Sequence, residues 1–232
     1  MKSFVFQQFE ILQHKNVFRV GTDGVILGAL VNIGTSKTVL EVGTGTGLIS
    51  LMLAQGNLQA DILALDINED AAALASQNFS KAPFSDRLKV IQCNYKNFTS
   101  EDLFDCIISN PPYFEESNSN KDKIARQTVE LNFEELISKS SELLSDDGVF
   151  AVIIPYEAGT GFIKICKKYQ LYLRRQVNVI GIKNSLPKRL VLEFHRIQSS
   201  VLEENFVIEK SPRQYSDQYL ELTKEFHVFN KK

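Results

Sequence analysis

From residue 38 onward, short apolar runs alternate with longer amphipathic stretches. This is the pattern of a parallel sheet covered by helices on both faces. The runs are TVLEV (38–42), DILALD (61–66), RLKVIQ (87–92), FDCIIS (104–109) and GVFAVIIP (148–155). Helical periodicity over 47–55, 69–80 and 133–144 supplies right-handed crossovers between them, which predicts five parallel strands. After Pro155 the pattern gives a helix (159–169) and two strands, 171–180 and 189–197. The short polar loop joining those strands favours an antiparallel pair at one sheet edge. Ahead of residue 38, alternation in FVFQQFEIL and NVFRV around His14-Lys15-Asn16 predicts a small hairpin, then a helix starting near Gly24. The fold class is therefore α/β, a mostly parallel doubly wound sheet, with residues 1–36 packed as a hairpin and helix on a domain spanning 37–232.

Composition narrows this picture without redrawing it. The 232 residues suit one α/β domain, and no Pro/Gly-rich or single-charge stretch marks a linker. No apolar run reaches the ~18 residues needed to span a bilayer, and Gln and Glu interrupt the start, so the expected location is the cytoplasm, with no membrane partner. Cys93, Cys106 and Cys166 are odd in number and lack C-x-x-C spacing, so buried thiols are expected, with neither disulfides nor a metal site. A net charge of −2 argues against a whole-surface grip on nucleic acid. Local basic clusters remain, at Lys167, Lys168, Arg174 and Arg175 and at Lys183, Lys188 and Arg189.

Two strand ends carry candidate chemistry. Glu41-Val42-Gly43-Thr44-Gly45-Thr46-Gly47-Leu48 closes the first parallel strand and runs directly into a helix. Such glycines let a ligand approach the main chain at a helix N-terminus. Leu48 stands where a dinucleotide fingerprint needs Gly or Ala, and no Gly-Lys-Ser/Thr follows, so pyrophosphate binding is disfavoured. Asp66, about twenty residues past the glycines, is placed to receive both ribose hydroxyls of an adenosyl group; the alternative is that it caps the next helix.

Asn110-Pro111-Pro112-Tyr113 follows the fourth parallel strand, at the end where α/β sheets place ligands. An exocyclic amine conjugated to a purine is a poor nucleophile. The Asn110 side-chain oxygen and Pro111 carbonyl suit an acceptor pair for its two N–H groups, the prolines withhold competing donors, and Tyr113 suits stacking on a planar base. The four residues Asn110, Pro111, Pro112 and Tyr113 are the candidate catalytic set.

With these residues in place, the sequence resembles the class I S-adenosylmethionine-dependent methyltransferases carrying the N-P-P-Y motif. Over almost its whole length it is similar to the bacterial tRNA1(Val) (adenine(37)-N6)-methyltransferase family. FQQFEILQ (6–13), RVGTDGVILGA (19–29), ISNPPYFEES (108–117), Ala125-Arg126 and PRQYSDQYLELTKEFHVFN (212–230) carry the closer match. The resemblance implies a Rossmann-like fold, S-adenosylmethionine as cofactor and tRNA as substrate. It makes Glu41, Gly43 and Gly45 methionine-side contacts, Asp66 the ribose partner, and Asn110 a shared cofactor and acceptor residue. The acid usually found after the third strand, against the cofactor adenine, is Asn94 here, which accepts without charge assistance. Gly21-Thr22-Asp23-Gly24 would lie over the cofactor, with a helix N-cap as the alternative role for Asp23. Lys121, Lys123 and Arg126, in a long polar stretch (115–132), are expected substrate contacts together with Arg174, Arg175, Lys188 and Arg189. Methylation of a protein glutamine amide is the competing function, because a primary amide offers the same two donors; a nicotinamide oxidoreductase fits less well.

Overall fold

The computed structural model describes residues 2–112 and 132–228. Strand β1 (Lys2–Val5) pairs antiparallel with β2 (Glu10–Gln13), and α1 (Thr22–Leu30) follows. The central unit runs β3 (Thr38–Val42), α2 (Leu48–Gly56), β4 (Asp61–Asp66), α3 (Glu69–Ser80), β5 (Leu88–Gln92) and β6 (Phe104–Ser109). After it come α4 (Phe133–Leu143), β7 (Leu144–Pro155), α5 (Gly159–Lys168), β8 (Tyr172–Ile182), β9 (Pro187–His195), β10 (Leu202–Ser211), β11 (Gln214–Tyr215) and α6 (Asp217–Thr223).

The nine-stranded sheet has the order β11-β10-β8-β9-β7-β6-β3-β4-β5. Strands β3 to β7 are mutually parallel, the five anticipated; the central runs of β3, β6 and β7 are buried on both faces, and β5 is the half-exposed edge. The β8/β9 pair is antiparallel, with β9 inserted beside β7. Two strands unforeseen in the sequence extend the sheet outward: β10 runs parallel to β8, and β11 pairs with β10. Because β8 and β10 run the same way as β7, their C-terminal ends, with the start of β9, share the end of the sheet where β3 and β6 terminate.

Two apolar layers sandwich the sheet. Residues of α1, α2, α3 and the hairpin form one, around Ile26, Leu51, Met52 and Phe79; α4 and α5 form the other, around Leu136, Ile137 and Phe162. Cys106 and Cys166 are buried in these layers as free thiols, and Cys93 is half-buried. Among the described residues no helix is long and apolar enough to cross a membrane.

The hairpin departs from the expected register. Its turn lies at Phe6–Phe9, where Phe6 N–H donates to the Phe9 carbonyl at 2.8 Å and the two rings stack at 4.6 Å, and 16–20 forms no strand. The chain's last segment holds it there. Gln7 N–H donates to Phe226 O at 2.8 Å, the Gln7 amide donates to His227 O at 2.9 Å, and the His227 ring stacks on Phe6 at 5.5 Å. The described tail is thus a clamp on the hairpin.

Candidate functional site

The crevice between β3 and β6 is where the chain's direction of sheet growth reverses: β4 and β5 lie to one side, β7 to the other. Open α/β sheets bind ligands at such switch points. Val42 and Ser109 are register partners, and Ser109 Oγ donates to Val42 O at 2.8 Å, so Gly43 and Asn110 leave adjacent strand ends together.

Gly43, Gly45 and Gly47 all have positive φ, at +77°, +58° and +82°. Gly43 and Thr44 N–H both donate to Leu65 O, at 2.9 and 3.0 Å, folding the loop over β4. A Cβ at Gly47 would lie 2.5 Å from the Phe79 ring, so that glycine serves close packing of α3. A Cβ at Gly43 or Gly45 would meet nothing within 4 Å, which leaves the main chain open to a ligand.

Glu41 is buried beneath this loop. Its Oε2 accepts from Thr44 Oγ1 at 2.8 Å, from Ser50 N at 3.0 Å and from Ser50 Oγ, while Oε1 has no hydrogen-bond partner among the described residues. Burial pushes its carboxyl up to about 7, the hydroxyl and amide donors pulling the other way. An orphaned buried carboxylate oxygen under an open glycine loop fits a ligand that brings a cationic donor. Asp66, half-buried at the end of β4, accepts from Gly45 N at 2.8 Å through Oδ2 and from Asn68 N at 2.9 Å through Oδ1. Each oxygen keeps a further lone pair for a hydroxyl donor. The cap of α3 is Asn68, which accepts from Ala71 N, so Asp66 is not that cap.

Asn94 Oδ1 accepts from Lys96 N at 3.0 Å and caps the single turn 95–97 just past β5. Asn110 is half-buried, Pro111 buried and Pro112 exposed. Tyr113, Lys121, Lys123 and Arg126 lie outside the described residues. Among the described residues no group of three or more His, Cys, Asp or Glu side chains is arranged to hold a metal.

The expected substrate cations divide by sheet polarity. Lys188 is exposed at the site end. Arg189 is also there, but its Nε donates to Asp23 Oδ2 at 2.9 Å, joining the start of β9 to the first turn of α1. Asp23 is therefore an ion-pair partner, and Gly21 occupies the N-cap. Arg174 and Arg175 belong to the opposite end. Arg175 registers with Glu193, four residues beyond Arg189, and is engaged by Glu193 at 2.8 Å, Glu204 at 2.6 Å and Leu30 O at 3.0 Å. Arg174 donates to Ser199 Oγ at 2.7 Å. The structure does not bring these two to the crevice.

One residue of the site had no signal beyond being a poor helix former inside a helix. Asn78 of α3 is buried; its Nδ2 donates to Thr46 O at 2.8 Å and Leu12 O at 3.2 Å, and its Oδ1 accepts from Leu12 N at 2.9 Å. It ties the glycine loop to the hairpin.

Known proteins share this framework. A family model described as the methyltransferase small domain matches residues 8–162. The chain is 53% identical, over 99% of its length and 100% of the relative's, to a tRNA1(Val) (adenine(37)-N6)-methyltransferase of Flavobacteriaceae bacterium (strain 3519-10). It is 38% identical to the protein of the same name in Bacteroides thetaiotaomicron, over 97% of each chain. Among solved structures, a predicted O-methyltransferase of Agrobacterium tumefaciens superposes with a TM-score of 0.69 at 14% identity, covering 88% of this chain and 96% of that one. A glycopeptide N-methyltransferase complexed with S-adenosyl-L-methionine gives 0.56 at 12%, covering 75% and 95%. Those two likenesses speak to the fold alone.

Proposed function

Because the chain belongs to the tRNA1(Val) (adenine(37)-N6)-methyltransferase family, we propose that it transfers a methyl group from S-adenosylmethionine to N6 of an adenine in tRNA, in the cytoplasm. The observation that carries the reading is the adjacency of Gly43 and Asn110 across the switch-point crevice, a cofactor loop beside an acceptor motif. Glu41, Gly43 and Gly45 would hold the methionine end of the cofactor and Asp66 its ribose. Asn94, committed through Oδ1 to its own turn, supports the adenine edge with its remaining lone pair and amide. When bound, the cofactor supplies an electrophilic methyl group on a sulfonium.

The residues of this chain prepare the nucleophile. The Asn110 side-chain oxygen and the Pro111 carbonyl each accept one N–H of the target amine and turn its lone pair out of the ring plane. The same oxygens would stabilise the positive charge that develops on nitrogen as it takes up the methyl group, until the nitrogen's surplus proton passes to solvent. That interaction is stronger in the transition state than in the ground state, and so raises turnover rather than affinity. The prolines fix the backbone that aims the carbonyl.

The test uses labelled S-adenosylmethionine and total tRNA from a strain lacking this gene, with the modified nucleoside identified by mass spectrometry. Wild-type protein should produce N6-methyladenosine. Asn110→Ala should lose at least ~100-fold in kcat, about 3 kcal/mol of transition-state stabilisation, while keeping cofactor affinity. Near-normal turnover by this variant at saturating substrate would overturn the mechanism. Label found in protein and absent from RNA would favour the glutamine reading.

A further inference from the structure

Strand β10 carries Glu203 and Glu204 at one end and Glu209 and Lys210 at the other. Glu203 and Glu204, at the end far from the crevice, serve neighbouring strands: Glu203 accepts from Asn178 at 2.9 Å, and Glu204 pairs with Arg175. Lys210 and Arg213 stand at the opposite end, where β10 turns into β11. Beside that turn is the one joining β8 to β9, because Ile182 registers with Glu209 and Lys183 N–H donates to Glu209 O at 2.8 Å. It carries Lys183, and Lys188 follows it at the start of β9. Both turns face the same way as the strand ends that bear Gly43 and Asn110.

All four cations are exposed, and among the described residues none takes part in an ion pair. The nearby carboxylate of Glu209 accepts from the Arg213 backbone N–H at 3.1 Å. Leu186, in the β8–β9 turn, is 83% exposed, and Ile182, at the end of β8, 40%. Neighbouring strands lie ~4.8 Å apart, so β8 and β10 are about 14 and 19 Å along the sheet from β6 and Asn110. Phosphates draw unpaired Lys and Arg side chains, and exposed apolar tips suit the faces of unstacked bases.

Building on the RNA-methyltransferase reading, we propose that these two turns form a basic ledge that grips the sugar-phosphate backbone of the tRNA beside the target adenine, Lys183, Lys188, Lys210 and Arg213 each meeting a phosphate. The ledge is a binding surface removed from the reacting atoms, so its loss is felt in affinity.

The experiment compares wild type with Lys183→Gln/Lys188→Gln, Lys210→Gln/Arg213→Gln and the quadruple variant, with Lys167→Gln at the far end of α5 as control. Affinity for unmodified tRNA is measured from 50 to 200 mM salt, alongside KM and kcat for methyl transfer and affinity for S-adenosylmethionine. Each lost phosphate contact should reduce the slope of log affinity against log salt by about 1. Each double variant should therefore lose about 2 in slope and raise KM for tRNA at least ~10-fold. Saturated kcat should stay within about twofold, and cofactor affinity should be unchanged. RNA methylation by wild type with unchanged slope and KM in the quadruple variant would overturn the ledge alone. Failure of wild type to label RNA would overturn the ledge and the function together.

Discussion

Replacing Glu41 by Gln should stabilise the protein at alkaline pH and damage it as an enzyme. Burial raises the folded-state carboxyl from 4.5 to about 7. An acid raised in this way binds more protons folded than unfolded between those values, so stability falls as pH climbs through that window. The full penalty of the buried charge is reached above the folded value. At about 1.4 kcal/mol for each pH unit the penalty is about 3 kcal/mol. In Glu41→Gln the amide oxygen can keep the donors from Thr44 and Ser50, and the NH2 group takes the position where Oε1 already lacks a partner. The polar contacts are nearly conserved while the ionisation is removed. The variant should lie within about 1 kcal/mol of wild type near pH 5 and exceed it by about 3 kcal/mol at pH 8, the latter roughly 6–12 °C in Tm for a chain of this size. In the proposed cofactor site an ammonium group beside Glu41 would favour the ionised carboxylate, so wild-type affinity for S-adenosylmethionine should rise with pH up to about 7, and the variant should bind at least ~10-fold more weakly. Thermal unfolding across pH 5–8, with and without cofactor, reads both effects. A Tm difference between the two proteins that does not change with pH would refute the argument, because it would mean that Glu41 does not titrate in the folded state inside the window.

Two other substitutions probe the same crevice. Asp66→Ala removes the carboxylate that accepts from Gly45 and Asn68 and that we propose holds the cofactor ribose; calorimetry should show S-adenosylmethionine binding weakened at least ~10-fold, about 1.4 kcal/mol. Asn78→Ala breaks three hydrogen bonds of a buried side chain, one buried and two part-buried, and strands Leu12 and Thr46 backbone groups, so the urea midpoint should drop by the equivalent of about 2–4 kcal/mol at unchanged slope, and a loss under about 1 kcal/mol would show that the clasp is not structural.

What the sequence shows of this molecule depends on how local each signal is. Strands β3, β4 and β6 and helix α3 end where the pattern places them, because a doubly buried strand is a continuous apolar run closed by Gly, Asp or Asn-Pro. Glu41, Gly43, Gly45, Asp66 and Asn110 were legible for the same reason: each sits at a strand end and is named by its immediate neighbours. Strand β10 was not. LEENFVIEKS mixes polar and apolar positions, and its first two acids, Glu203 and Glu204, are accounted for by Arg175, Gln176 and Asn178 on β8, roughly thirty residues away. The hairpin was misplaced for a similar reason. His14-Lys15-Asn16 looks like a better turn than Gln7-Gln8, and what decides the register is a clamp by residues 226 and 227 at the other end of the chain.

The basic residues show why a count of charge clusters could not separate structural from functional cations. Three arginines end helices at the side of the sheet away from the crevice. Arg175 donates to Leu30 O at the end of α1, and Arg87 to the Ala54 and Asn57 carbonyls at the end of α2 and to Ala60 O just before β4. Arg196 donates to Ser141 and Leu144 carbonyls at the end of α4. A helix leaves its last carbonyls without intrahelical partners and carries partial negative charge there, so a planar guanidinium with several donors satisfies two or three of them at once. In a parallel α/β sheet every crossover helix runs against the strands, which collects these carbonyl ends on one side of the sheet and the helix N-termini on the ligand side. The fold therefore draws arginines to the far end for its own stability. Cations at the crevice end have no such carbonyls to satisfy, and Lys183, Lys188, Lys210 and Arg213 remain exposed there. Sheet polarity thus explains why Arg175 serves the fold at the far end; at the crevice end Arg189 is held by Asp23, and Lys183, Lys188, Lys210 and Arg213 are the exposed cations of the proposed ledge.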